Sequence, residues 1–133
     1  MVSSNINHNA RIIVVQKLYS YYINKDSLII YPKHRYKKFI KDIVSGTIER
    51  EELILVKLGE ILKKEFSPSR TDLILKLMIM SAAFELLFVH KTPVKVIVSE
   101  YVKISDFFLE NAHKRYLNAI LDKISKNVRN YKN

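Results

Sequence analysis

Apolar side chains along this chain recur at intervals of three and four residues, the period of a helix with one buried face. Ile12, Val15, Tyr19, Tyr22 and Ile23 keep that spacing and predict a first helix from Asn9, a suitable N-cap, to Ile23. Lys25-Asp26-Ser27 breaks the pattern, and Leu28-Ile29-Ile30-Tyr31-Pro32 reads as an apolar connector packed on the body of the protein. Tyr36, Phe39, Ile40, Ile43, Val44 and Thr47 predict a second helix over 34–48, with Gly46 near its end suited to a close helix approach or a C-cap. A third runs from Glu51 to Phe66, opening on Glu51 and Glu52 and closing on Lys63 and Lys64, the order the helix dipole favours. Pro68 ends that unit, and Ser69 followed by Asp72 has the form of a capping box.

The stretch that follows differs in kind. From Leu73 to Val89 only Lys76, Ser81 and Glu85 interrupt an apolar run of seventeen residues, so this helix is greasy on every side. Its length approaches a membrane span. Two ionisable residues inside it, at about 2.5–3.5 kcal/mol each near a bilayer centre, make a helix surrounded by other helices the better reading. Thr92-Pro93 offers an N-cap and a proline at the first helical position. VKVIVSEYV then alternates like a strand, but Val94, Ile97, Val98, Tyr101, Val102 and Ser105 form one helical face, and a lone strand would have nothing to pair with. Phe107 to Leu109 closes this helix. Asn111 caps the last, whose stripe runs through His113, Tyr116, Leu117, Ile120, Leu121, Ile124 and Val128. The pattern predicts an all-α fold: one compact bundle of six to seven helices, with the loop at 67–70 separating sub-bundles of about 1–66 and 67–133.

Composition narrows this further. A chain of 133 residues, 48% hydrophobic and 27% charged, is sized and balanced for one globular domain. Two glycines and three prolines are too little punctuation for a many-stranded sandwich or barrel. The net charge is +10, shared evenly by the residues to either side of Phe66 (12 minus 7 before, 11 minus 6 after), so the positive surface that attracts polyanions is not confined to a tail. With no cysteine there is no disulfide or thiol chemistry, and the opening MVSSNINHNAR lacks the form of a secretion signal, which makes a cytoplasmic protein the expectation.

Enzyme chemistry finds no foothold. His8, His34, His90 and His113 are scattered without metal-ligand spacing, no glycine-rich loop can cradle a phosphate, and Asp72, Glu85, Glu100 and Asp122 read as caps or interface residues rather than paired acids. No cofactor, metal or small-molecule substrate is expected. Two clusters favour nucleic acid instead. Lys33, Arg35, Lys37, Lys38 and Lys41 fall within nine residues without an acid, interleaved with Tyr36 and Phe39. Lys114, Arg115, Tyr116 and Asn118 put cations, a ring and an amide at the start of the last helix.

Four segments, VQKLYSYY (15–22), DLILKLMIMSAAFELL (72–87), TPVKVIVSEYVKIS (92–105) and HKRYLNAILDKI (113–124), resemble the NusB family in order and spacing. That family shows a VQALY-type first helix, a helix ending in YELL, a helix of the form P-x-K-V-A-I-N-E-A, and F-V-N-G-V-L-D-K. The resemblance implies a helical, non-catalytic transcription antitermination factor that pairs with NusE, a small-subunit ribosomal protein. The pair would bind single-stranded boxA RNA of ribosomal RNA operons and help assemble an antitermination complex on RNA polymerase. It further implies Tyr19, Phe84, Glu85 and Phe88 as the NusE-facing set, with Glu85 matching the acid of YELL at the rim of the central helix. Tyr116 and Asn118 match the phenylalanine and asparagine of FVNG; together with Arg11, Gln16 and Lys114 they are the expected RNA contacts. Glu100, Asp122 and Lys123 match positions where packing is the simpler role.

The chain also departs from the family's pattern. The arginine-rich run usual before the first helix is reduced to NHNAR, leaving Arg11 and His8, while Ala119 and Leu109 stand where glycines are usual. The lysines of 33–41 are candidates to compensate. An interaction bundle with weak or no RNA binding is the alternative. An enzymatic reading, suggested by NusB-like domains that begin certain ribosomal RNA cytosine methyltransferases, would need a cofactor-binding domain from a second polypeptide.

Overall fold

A computed structural model describes residues 9–128. Among them stand six α-helices: α1 (Ala10–Ile23), α2 (Lys37–Glu49), α3 (Glu51–Leu62), α4 (Leu73–Phe88), α5 (Val94–Phe108) and α6 (Asn111–Val128). Short 3-10 turns at Lys63–Glu65 and Pro68–Arg70 link α3 to α4. The all-α architecture expected from the pattern is what the chain adopts. His8 lies outside the described residues.

The run that is apolar on every side becomes the hub. Eleven of the sixteen residues of α4 are buried, and α4 packs against each of the other five helices, those before the 67–70 loop and those after it. A helix contacted all round has no polar face to present, which is why its sequence shows no amphipathic stripe. Among the described residues no helix is long and apolar enough to cross a membrane. VKVIVSEYV is helical, burying Ile97, Tyr101, Ile104 and Ser105 along one stripe of α5.

Helix ends follow some of the local signals and depart from others. Asn9 caps α1, its side-chain oxygen accepting the backbone N–H groups of Arg11 and Ile12. Asp72, not Ser69, caps α4 by accepting from Leu75 N–H, and Pro93 rather than Thr92 is the N-cap of α5. Asn111 is already the first residue of α6. Helix α3 stops at Leu62, short of the expected Phe66, because Lys63 turns out of the helix at φ 50°. That left-handed conformation is costly for a residue with a Cβ, and the turn brings Phe66 back into the core.

Gly46 is a close approach and not a C-cap: a Cβ there would stand 2.2 Å from Cζ of Phe84. The connector at 28–32 alternates, with Ile29 and Tyr31 packed on the core while Leu28 (84% exposed) and Ile30 project outward.

Candidate nucleic-acid and partner interface

The acid in the middle of α4 has an internal explanation. Glu85 is 0% exposed, and a buried carboxylate is tolerable only when its charge and lone pairs are met. Arg11, on the first turn of α1, meets it with both prongs of its fork: Nε donates to Oε2 at 2.9 Å and Nη2 to Oε1 at 2.6 Å. The Tyr101 hydroxyl of α5 donates to Oε2 at 2.7 Å. The guanidinium also lies 4.9 Å from the ring centre of Phe39 and 5.7 Å from that of Tyr101. Burial works against the Arg11 charge, yet the hydrogen bond and charge of Glu85 offset this and hold its pKa above the ordinary value. Burial, with the charge of Glu85, pushes the Tyr101 phenol well above its usual range. The three side chains fasten α1, α4 and α5 together.

Two expectations are corrected by this arrangement. Glu85 is not at a rim: it is part of the core, facing α1 and α5. Arg11, expected among the RNA contacts, has an 11% exposed side chain and spends its charge on Glu85. The acid of YELL and the lone arginine near the N-terminus are 74 residues apart, and nothing local in either stretch indicates that they pair. Tyr101 could have been found from sequence, since a tyrosine on the buried face of a helix needs a partner for its hydroxyl.

The remaining partner-set residues separate. Phe84 is buried against Gly46, its ring 5.4 Å from that of Phe88. Phe88 is half-buried with the Arg50 guanidinium 4.9 Å from its ring centre. Tyr19 is exposed at 39% on α1. Of the four, Tyr19 and Phe88 thus have surface to offer.

The expected RNA residues also fall on different surfaces. Gln16 is exposed on α1 and lines a groove of about 790 Å3 between α1 and the segment leading into α2. Its other polar walls are Lys17, Lys33, His34, Arg35 and Tyr36. Among the described residues no carboxylate lines this groove. Lys114, Tyr116 and Asn118 lie on α6. There Lys114 Nζ donates to Asp106 at 2.7 Å and the Tyr116 hydroxyl donates to the backbone oxygen of Glu65. Burial, then the charge of Glu65, raises the Tyr116 phenol. Asn118 lines a smaller groove of about 260 Å3 between α5 and α6 that contains the Asp122 carboxylate. Lys17 and His34 are not among the expected RNA contacts; they enter only because the fold lays 33–36 alongside α1.

Comparison with known proteins agrees with this frame. The family model described as NusB family matches residues 8–126. Transcription antitermination protein NusB of Sinorhizobium fredii is 34% identical over 91 residues, which cover 68% of this chain and 57% of that protein, little more than half its length. NusB of Sinorhizobium medicae is 28% identical over 137 residues, covering 90% of this chain and 86% of that one. A solved structure of T. maritima NusB is similar in fold, with a TM-score of 0.77 over 90% of each chain at 23% identity.

Proposed function

The chain belongs to the NusB family, and on that premise we propose that it acts as an antitermination adaptor, pairing with NusE and binding boxA RNA to promote processive transcription. The observation that carries the RNA half of this reading is the acid-free, cation-lined groove along α1, beside Gln16. Single-stranded RNA is gripped by phosphate contacts and by rings on which its bases can stack, and that groove has both kinds of group. Lys114, Tyr116 and Asn118 on α6 are a secondary contact in this reading. For the protein partner, Tyr19 and the exposed edge of Phe88 are the contacts proposed, with Phe84 and Glu85 as the buried support behind them.

One observation favours the interaction-only alternative. Where the family's arginine-rich run would lie, Arg11 is consumed by Glu85. Binding of a boxA-like RNA to this protein alone, to NusE alone and to their mixture separates the two readings. Affinity of the mixture well above that of either component is the expected result. A mixture that forms the protein pair but gains no RNA affinity would leave the interaction-only bundle.

A further inference from the structure

We infer that the connector at 28–32 is a docking edge for an extended, acid-flanked segment of another protein, which adds to it as a β-strand. Neither the RNA groove nor the adaptor reading is needed for it.

The fold leaves the backbone of this connector open. Up to Ser27 the chain is tied: the Ser27 N–H and Oγ donate to the Asn24 backbone oxygen, and the Asp26 N–H donates to the Asn24 side chain. Bonding resumes where the Tyr36 and Lys37 N–H groups donate to His34. Between them, among the described residues, no backbone N–H or C=O of 28–32 makes a hydrogen bond. Burial alternates over the same stretch. Ile29 and Tyr31 pack on the core, while Leu28 and Ile30 are 84% and 69% exposed. A period of two is that of an extended chain, whose amide groups point sideways along the surface. Pro32 holds the residue before it in the same extended region. An edge of this kind is a template for a further strand, which supplies backbone partners and covers alternate side chains.

Charge selects the occupant. Lys25, Lys33 and Arg35 flank the connector against one acid, Asp26, and among the described residues none of the four forms an ion pair. A second copy laid antiparallel about Ile30 would bring Lys25 of one chain toward Arg35 of the other, on chains that each carry +10. Like charges across paired strands are destabilising, so the complement of this edge is an acidic strand and not the chain itself. An anionic lipid surface would meet the cations and the two aliphatic side chains. It would also leave backbone groups unpaired in hydrocarbon, a cost that strand addition avoids.

The test follows backbone amide shifts and amide exchange of the intact chain on titration with a synthetic peptide of about ten residues, a common strand length. The peptide alternates valine and threonine between paired glutamates. Companion peptides carry lysine for glutamate, or methyl groups on the backbone nitrogens of one edge or the other. Shifts and slowed exchange are expected at 28–31, with binding roughly tenfold weaker for the lysine peptide and lost for one of the methylated ones. Ile30→Pro removes one backbone N–H and one outward side chain, neither engaged within the fold, so melting should hold while binding falls roughly tenfold or more. Leu28→Ser with Ile30→Ser keeps every N–H and removes two apolar contacts, each on the order of tenfold in affinity. Silence at 28–31 with every peptide, or equal binding by both methylated peptides, overturns the strand edge. Concentration-dependent protection of 28–31 in the chain alone, lost in Ile30→Pro, makes a second copy the occupant and overturns the acidic partner. Binding to phosphatidylserine vesicles that the double serine variant loses, without any peptide binding, overturns it in favour of a membrane surface.

Discussion

Two stretches of this chain set cations beside tyrosine, 33–41 and 114–126, and the fold treats them in opposite ways. On α6 the lysines are answered at home: Lys114 by Asp106, Lys123 by Glu65 and Lys126 by Asp122, while Tyr116 is tied to the Glu65 backbone. Along 33–41 Lys38 alone pairs with a carboxylate among the described residues, and Tyr36 is open to solvent. In sequence both clusters set cations beside a tyrosine, and the second also contains Asp122. The difference lies in what surrounds them: α6 lies along α5, which brings Asp106, and along α3, whose following 3-10 turn brings Glu65, whereas the 33–36 segment lies along α1, whose facing residues are Gln16 and Lys17. A cluster of cations keeps its attraction for anions when the fold withholds its counter-ions.

The largest effect is expected at Arg11, which is a core group and not a spare cation for the groove. Glu85→Ala leaves a guanidinium buried without its partner, and about 3–5 kcal/mol of stability is expected to go, read as a lower urea midpoint. A change under about 1 kcal/mol would mean Arg11 behaves as a surface group.

Tyr101→Phe keeps the ring and removes one hydrogen bond to a charged acceptor, with an expected cost of about 1.5–3 kcal/mol. Its pH dependence has a definite sign. The native phenol is held above its ordinary value of 10.0 by burial and the charge of Glu85. Below that value both folded and unfolded chains keep the proton, and the contribution is whole. As pH rises past about 10 the unfolded chain releases a proton that the native one retains, so stability falls with pH. Tyr22 and Tyr116, raised by burial together with Glu51 and Glu65 respectively, act in the same direction. Denaturant midpoints between pH 9 and pH 11 should fall for the natural chain, and more shallowly for Tyr101→Phe.

The smallest effect belongs to α6. Lys123→Gln and Lys126→Gln break exposed pairs of the kind that contribute about 0–1 kcal/mol each, so the melting temperature should barely move. A drop as large as that of Glu85→Ala would show that these pairs hold the bundle together, and the contrast between the two clusters would need another cause.

Much of the frame was legible in the residues. The apolar run of 73–89 announced a hub because no other place in a small helical protein can bury every side of a helix, and Asn9 announced where α1 begins. Cap positions are ambiguous by a residue or more where two candidates stand together, as with Ser69 and Asp72. Glu85 is ambiguous for a different reason: an acid in a greasy helix can be a rim residue or half of a buried pair, and only the fold brings Arg11 across 74 positions to decide it. The acid-free run at 33–41 was visible as a charge pattern. That Gln16 and Lys17 would form its opposite wall was not, since no local periodicity relates α1 to the segment before α2.

The most direct measurement follows the RNA itself: backbone amide shifts of the NusE-bound protein on titration with single-stranded boxA-like RNA. The largest shifts are expected at Gln16, Lys17 and residues 33–38, with the amides around Lys123 and Lys126 unmoved. Shifts confined to Lys114, Tyr116 and Asn118, with 33–38 silent, would contradict the account.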